Sequence, residues 1–383
     1  MNRKYFLLQI MFFSCILILI NIVINAANAE SQRINAYYGK YDITKKTIGF
    51  PSETLTGPLL EDWPESVPKK KYHIGVLMPH MQDSFWITAN YGIISYAKQI
   101  GIKITLFVAG GYRNIGNQKD QLSKLVNQYN VDGIIISSVH YTKLDKFIQK
   151  ISEKGIPVVG LINDIRASSI KAKSVIMSYE LGWQAGKFLT NTLDSIKNKP
   201  IKISIFPGPK NSGWADSQYN GFCAGVSSSK ISSRALTILN PQWGDTRPKV
   251  QKMRLKNCLN RLENHGIDYI VGNAVAATEA VTYLKQNRKI HPKAKIVSIY
   301  ITTNVYKCIK KGTIEAAPSA QIIPQCKIAI DMLVRILNGE EAGKDFPFRA
   351  SPVIPIITKD NIEQFNYEKL FGSVDFKPIF EKY

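Results

Sequence analysis

A regular alternation of short strand-like segments with longer helix-like segments, between residues 71 and 358, most constrains how this chain can fold. Residues 72–78 are rich in apolar residues and end at a proline, whereas residues 85–99 carry apolar side chains at helical spacing. The same order recurs along the rest of this region. Because strands that alternate with helices form right-handed β-α-β units, the sequence predicts an α/β fold with parallel sheets.

The alternation falls into two consecutive series, which predict two Rossmann-like lobes. Residues 71–164 and 320–351 are assigned to the first lobe, and residues 172–318 and 353–365 to the second. The chain would then cross between the lobes near residues 163–172, 317–321 and 351–355, and three crossings act as a hinge. Residues 30–70 are predicted to be an irregular leader, and residues 366–383 a C-terminal tail.

The first 29 residues predict a secretory signal peptide. A positive start at Arg3 and Lys4 precedes an apolar stretch over residues 5–24, and the small residues Ala27 and Ala29 follow at the cleavage positions. An uncleaved membrane anchor is the alternative, because the apolar stretch is long. The mature chain is predicted to begin near Glu30, to be exported to the periplasm and not to be an integral membrane protein.

The strongly basic composition raises the question of a nucleic-acid partner. Fifty lysines and arginines against 29 acidic residues give a net charge of +21, which becomes +19 without the first 29 residues. The charge is diffuse, and no stretch interleaves clustered arginines with aromatic residues as nucleic-acid readers do. We therefore expect no nucleic-acid partner. A solvated lysine surface, or a face for an acidic partner or anionic membrane, remains open.

The sequence offers no catalytic, metal-binding or cofactor-binding pattern. It contains no nucleotide-binding glycine loop, no zinc-type cysteine pair and no recognisable triad, and the five histidines are scattered. His80 follows a predicted strand, but a single histidine there is commonly incidental. We predict a non-enzyme without metal or cofactor. Disulfides and free thiols both remain open for the four mature cysteines, which are Cys223, Cys258, Cys308 and Cys326.

Large aromatic side chains follow the predicted strands of both lobes. Ligands of open parallel sheets bind beyond the carboxyl ends of the strands. Rings gathered there can hold a methylated ammonium group by cation–π attraction or stack on a sugar. The residues that we predict to bind a ligand are Asp83, Phe85, Trp86, Tyr112, Tyr179, Trp214, Asn273 and Tyr300.

Several of these segments resemble a known family. Residues 78–86, the Ala-Gly-Gly-Tyr turn at 109–112, and residues 206–213 and 272–277 are similar to the TorT-like sensory members of the type I periplasmic binding protein superfamily. The resemblance implies a two-lobed protein that closes on trimethylamine N-oxide or a similar methylated amine. It also implies a partner, the periplasmic domain of a TorS-like sensor histidine kinase. Asp83, Phe85, Trp86, Tyr112 and Tyr300 match the family's contact positions.

Two positions depart from the family pattern and bear on the ligand. Ser178 stands where the family has a tryptophan, and Ala320 lies where the family has an acid nearby. Tyr179 or Trp214 could supply the missing ring. A solute-binding subunit of an ABC importer, with a sugar or similar small molecule as its ligand, is the alternative reading.

Overall fold

Fourteen strands and ten α-helices make up the part of the chain that the computed structural model describes. The described residues are 32–45, 47, 49–193, 201–210, 212–228, 236–262, 266–287 and 293–380. The predicted signal peptide, residues 1–29, lies outside them. Within these ranges, no helix is both long enough and apolar enough to span a bilayer.

The first sheet has eight strands, six of which are parallel to one another. Along the chain they are β1 (Gln32–Tyr38), β2 (Thr56–Trp63), β3 (His73–Met78), β4 (Lys103–Val108), β5 (Gly133–Ile136), β6 (Val158–Leu161), β7 (Ala172–Ser174) and β13 (Arg349–Pro352). Their order across the sheet is β2-β1-β13-β7-β6-β5-β3-β4. Strand β13 runs parallel to β7, and β1 and β2 are antiparallel additions at that edge.

The second sheet has six strands and begins after the first crossing. These strands are β8 (Ile201–Phe206), β9 (Leu236–Ile238), β10 (Tyr269–Gly272), β11 (Lys295–Ser298), β12 (Ala316–Pro318) and β14 (Ile356–Thr358). Their order is β14-β12-β11-β10-β8-β9, and only β14 is antiparallel to its neighbour. The two mainly parallel sheets confirm the predicted α/β fold class.

Helices connect the strands and cover the sheets. Their bounds are α1 (Ser84–Gln99), α2 (Ile115–Asn127), α3 (Asp145–Glu153), α4 (Ser178–Asn191), α5 (Trp214–Ser227), α6 (Pro248–Asn260), α7 (Ala274–Gln286), α8 (Thr303–Lys310), α9 (Ile322–Leu337) and α10 (Tyr367–Phe371). Helix α9 packs on α1 and on strands β5 to β7, so the chain returns to the first sheet after β12. The residue limits of the lobes otherwise stay a prediction.

The predicted irregular leader at residues 30–70 contains two regular strands instead. Strand β1 pairs with β13, so that Ala36 lies opposite Ala350, and β2 pairs with β1. Ile34, Ala36 and Tyr37 are buried in the process. The pattern of the leader did not indicate strands, because the sheet partner of β1 lies more than 300 residues away and β2 contains Pro58.

Two short strands shift the predicted crossings. Residues 172–174 belong to the first sheet, although the sequence assigned them to the second lobe, so the chain leaves that sheet only after Ser174. Residues 353–355 connect the two sheets and belong to no strand. Strand β13 ends at Pro352 in the first sheet, and β14 begins at Ile356 in the second. Strands of three or four residues leave too short a pattern to place by periodicity.

The close contact between α4 and α5 depends on glycine. Gly182 and Gly186 on one helix face Gly221 and Gly225 on the other. A Cβ atom on Gly182 would overlap the carbonyl oxygen of Gln218, and one on Gly221 would overlap that of Tyr179. The two backbones therefore touch directly, which only residues without side chains permit.

A buried carboxylate joins three separate parts of the first lobe. Asp331 of α9 is fully buried and accepts hydrogen bonds from Trp63 Nε1 at 2.8 Å, Tyr96 Oη at 2.7 Å and the backbone N–H of Ser66 at 3.1 Å. These partners belong to β2, α1 and the linker between β2 and β3. Burial raises the pKa of Asp331 to about 6, against the stabilising effect of these donors.

The C-terminal tail runs from the second sheet to α1. Phe371 is buried beside Tyr306 of α8, with ring centroids 5.7 Å apart. Beyond it, the buried amide of Asn90 donates to the carbonyl of Ile379 at 2.7 Å and accepts from its N–H at 2.8 Å. The ring of Phe376 packs on Tyr91, with centroids 5.1 Å apart. The tail thus connects the two lobes in addition to the crossings.

The glycine contact predicts that alanine substitutions will have opposite effects on stability at a glycine inside the contact and at a glycine outside it. Gly182→Ala should lower the free energy of unfolding by about 3 kcal/mol, because the added methyl group forces α4 and α5 apart. Gly116→Ala is the matched control: it lies exposed in α2 with nothing near its Cβ position. Gly116→Ala should raise the free energy of unfolding by about 0.5–1 kcal/mol. Urea unfolding measures both changes, and a loss below 1 kcal/mol for Gly182→Ala would contradict the contact.

The Asp331 environment predicts a pH dependence of stability. The carboxyl binds its proton more tightly when folded, with a pKa of about 6 against 3.8, so its favourable contribution is complete below pH 4 and is lost as the pH rises through 6. Relative to Asp331→Asn, the wild type should lose about 2–3 kcal/mol between pH 4 and 6. Asp120→Asn, an exposed control, should leave the wild-type profile unchanged. Equal slopes for wild type and Asp331→Asn would exclude this account.

Candidate ligand-binding site

A small cavity of about 70 Å³ lies where the carboxyl ends of strands from both sheets meet. Six of the predicted ligand residues line it, and both lobes contribute. They are Asp83, Phe85, Trp86, Tyr112, Trp214 and Tyr300. The two positions that depart from the family pattern, Ser178 and Ala320, line it too.

The start of α1 supplies three of these side chains. Asp83 follows β3 and caps the helix, since its Oδ1 accepts a hydrogen bond from the N–H of Trp86 at 3.2 Å. Phe85 and Trp86 occupy the first turn, with ring centroids 5.3 Å apart. Both rings line the cavity. The capping geometry therefore places a carboxylate and two rings at one point.

The rings continue across the cavity in edge-to-face contacts. Phe85 meets Tyr300 of the other lobe with centroids 5.8 Å apart, and Tyr300 meets Trp214 at 6.4 Å. On the other side, His80 lies 5.6 Å from Tyr112 and 6.0 Å from Trp86, again centroid to centroid. Edge-to-face packing leaves ring faces available to a ligand.

The titratable side chains that line the cavity differ in charge. Burial lowers the pKa of His80 below its usual range despite the opposing attraction of Asp83 and Asp245, so its imidazole is neutral at pH 7. Burial also raises the pKa of Tyr112 and Tyr300, which therefore remain neutral phenols. Among the described residues that line the cavity, Asp83 is then the charged one. A negative group surrounded by neutral rings favours a positive ligand.

Two amide side chains, one after β6 and one in the first turn of α9, help to shape the cavity and already form hydrogen bonds within the protein. Asn163 donates to the carbonyl of Ser138 at 3.0 Å and to Tyr112 Oη at 3.4 Å. Gln325 donates to the carbonyl of Ala320 at 2.6 Å and accepts from the N–H of Ile176 at 3.2 Å. Both side chains hold neighbouring segments in place.

Backbone strain also marks this region. Ile162 lines the cavity with a φ of +59°, a left-handed conformation that a β-branched residue rarely adopts. Gln321, at the second crossing, has a φ of +48°. Strained residues of this kind concentrate at ligand sites and hinges, where the surrounding structure holds them.

Two predicted ligand residues lie elsewhere. The ring of Tyr179 packs against Phe50, with centroids 5.1 Å apart, rather than lining the cavity. Asn273 is buried at the start of α7, where its side chain accepts from the N–H groups of Val275 and Ala276 and donates to the carbonyl of Phe206. These hydrogen bonds occupy the side-chain amide of Asn273, so its role in this structure is to cap α7 rather than to line the cavity.

Several residues that line the cavity were not predicted, and their positions explain why. His80 was set aside as incidental, although it follows β3. Gln218 stands four residues after Trp214, and residues at that spacing share a helix face, so this signal was available. Asn163 follows the carboxyl end of β6, so the same strand-end reasoning applied to it. Gln325 lies in α9 just after the second crossing, where the pattern of strands and helices carries no information on side-chain direction.

Neither metal chemistry nor thiol chemistry accompanies the site in the described part of the chain. No cluster of three or more His, Cys, Asp or Glu side chains there could hold a metal ion. Cys223, Cys258, Cys308 and Cys326 are all free, and none lines the cavity.

Comparison with known proteins gives one family and consistent relatives. Residues 74–341 match the model of the periplasmic binding protein domain. Periplasmic protein TorT of Escherichia coli K12 is 26% identical over 314 residues, which cover 82% of this chain and 85% of that protein.

Two solved structures extend this comparison. An ABC transporter solute-binding protein from Bradyrhizobium sp. BTAi1, with bound Bis-Tris, superposes with a TM-score of 0.78 at 28% identity, over 92% of this chain and 99% of its own. TorT in its complex with the TorS sensor domain in the presence of trimethylamine N-oxide gives 0.70 at 24% identity, over 81% of this chain and all of its own. That second likeness concerns the fold.

Proposed function

Since this chain belongs to the periplasmic binding protein family and is of the TorT type, we propose that it binds a small methylated amine or amine oxide in the cavity between its lobes. The family consists of ligand-binding proteins rather than enzymes, and its place is the periplasm. In the proposed function, binding favours one arrangement of the lobes, and the periplasmic domain of a TorS-like sensor histidine kinase recognises that arrangement.

The observation that carries the proposal is the Asp83 carboxylate among aromatic rings from both lobes. A methylated ammonium group gains cation–π attraction from each ring face and Coulomb attraction from the carboxylate. Trp214 lies in the cavity beside Tyr300 and can supply the ring that Ser178 lacks, whereas Tyr179 is directed elsewhere. The small volume favours a ligand of this size over an oligosaccharide.

A solute-binding subunit of an ABC importer is the second candidate. The relative from Bradyrhizobium supports it, because that protein is an ABC transporter component. Its bound Bis-Tris is a tertiary amine that bears hydroxyl groups, so this likeness also supports an amine as the ligand. The two candidates therefore differ mainly in the partner that the protein serves.

Calorimetry of the mature protein tests the ligand class. Trimethylamine N-oxide, tetramethylammonium and choline are titrated beside D-allose, and we expect heat from at least one amine and none from the sugar. Asp83→Asn should weaken tetramethylammonium binding about 5- to 30-fold, because the charge is lost. It should change stability by less than about 0.5 kcal/mol, because asparagine caps helices as well as aspartate. Binding of D-allose alone would reject the amine assignment.

The partner is tested by gene neighbourhood and reconstitution. We expect a sensor kinase gene beside the gene for this chain, and its purified periplasmic domain should co-elute with the protein in size-exclusion chromatography. A neighbouring permease and ATPase that take up the labelled ligand, together with no complex with the kinase domain, would favour the importer instead.

A further inference from the structure

Gln218 is a buried amide in the cavity wall whose side chain has no hydrogen-bond partner among the described residues. The residue is 4% exposed, and its buried Oε1 receives no donor. Gln325, by contrast, bonds at both ends of its amide. A buried carbonyl without a donor is unfavourable, so Gln218 points to a donor that a ligand would bring.

Trp214, one turn earlier on the same helix, has a buried donor, its Nε1, without an acceptor in the described chain. An indole N–H can only donate, so the group that meets it must accept. Because α5 begins at Trp214, both side chains project from its first two turns, and both line the cavity.

A hydroxyl group is the small group that accepts one hydrogen bond and donates another. We infer that the ligand is a small amino alcohol: its methylated ammonium lies toward Asp83 and the rings, and its hydroxyl accepts from Trp214 Nε1 and donates to Gln218 Oε1. The ammonium group of this ligand rests on the proposed function. Its hydroxyl group is inferred from these two side-chain groups of α5, which have no partner in the described chain.

This chemistry separates the amino alcohol from an amine oxide. The oxygen of trimethylamine N-oxide carries no proton, so it can accept from Trp214 but leaves Gln218 Oε1 without a donor. Its negative charge is also unfavourable near the Asp83 carboxylate. Ser178 adds a further hydroxyl to the cavity wall, without a side-chain hydrogen bond in the described chain.

Calorimetry with choline, tetramethylammonium and 3,3-dimethylbutan-1-ol tests the two halves separately. The last compound has the shape and hydroxyl of choline without its charge. Choline should bind at least about tenfold more tightly than tetramethylammonium, because only choline satisfies both orphaned groups. The uncharged alcohol should bind more weakly than choline, because it lacks the attraction to Asp83.

Two variants locate the hydroxyl on α5. Trp214→Phe keeps a ring but removes the N–H, and Gln218→Met keeps an unbranched chain but removes the carbonyl. Each should weaken choline binding about 5- to 30-fold. Gln218→Met should leave tetramethylammonium binding within about twofold, and Trp214→Phe should weaken tetramethylammonium less than it weakens choline, because a ring remains. Trp243→Phe, outside the cavity, is the matched control and should change neither. Thermal unfolding confirms that each variant is folded, and Trp214→Phe alone decides the matter if Gln218→Met is not.

The outcomes distinguish failure of this inference from failure of the proposed function. Tetramethylammonium or trimethylamine N-oxide binding as tightly as choline would overturn the amino alcohol and keep the amine. The same holds if both variants weaken all amines equally. Binding of D-allose with no binding of any amine would overturn both.

Discussion

The direct backbone contact between α4 and α5 is the constraint on which the shape of the cavity depends. Gly182 of α4 meets the carbonyl of Gln218 in α5, so the residue whose side chain lines the cavity is also at one of the two tightest points of the contact. Ser178 and Trp214, each one turn before these two residues on its own helix, line the same cavity. A side chain at any of these glycines would separate the helices and widen the wall that faces the ligand.

The second determinant of the cavity is the position of the Asp83 carboxylate among neutral rings. The chain is strongly basic overall, yet the described residues of the cavity contribute one carboxylate and neutral rings. Asp83 caps α1, so the position of its charge follows from helix geometry rather than from a flexible side chain. His80 stays neutral because it is buried, and therefore does not repel a cation. A surface rich in lysine thus encloses a site suited to a positive ligand.

Local pattern predicted most of the fold and the strand-end part of the site, and long-range pairing accounts for the rest. The bounds of α5 and α7, and the capping position of Asp83, follow from periodicity and N-cap chemistry. Strand β1 could not be predicted, because it joins the sheet by pairing with β13, more than 300 residues away. The direction of Tyr179 was missed for a related reason. Its ring packs on Phe50, which lies far away in the sequence, rather than lining the cavity.

The C-terminal tail has a consequence for the time that a ligand stays bound. Asn90 lies in the helix that begins at Asp83, and Phe371 packs beside the helix that follows Tyr300, so the tail connects the supports of both cavity walls. Separating these walls requires breaking the Asn90–Ile379 hydrogen bonds or stretching residues 372–378. If the proposed ligand leaves by separation of these walls, the tail adds to the barrier for its escape and lengthens its residence, while the equilibrium contacts inside the cavity stay the same.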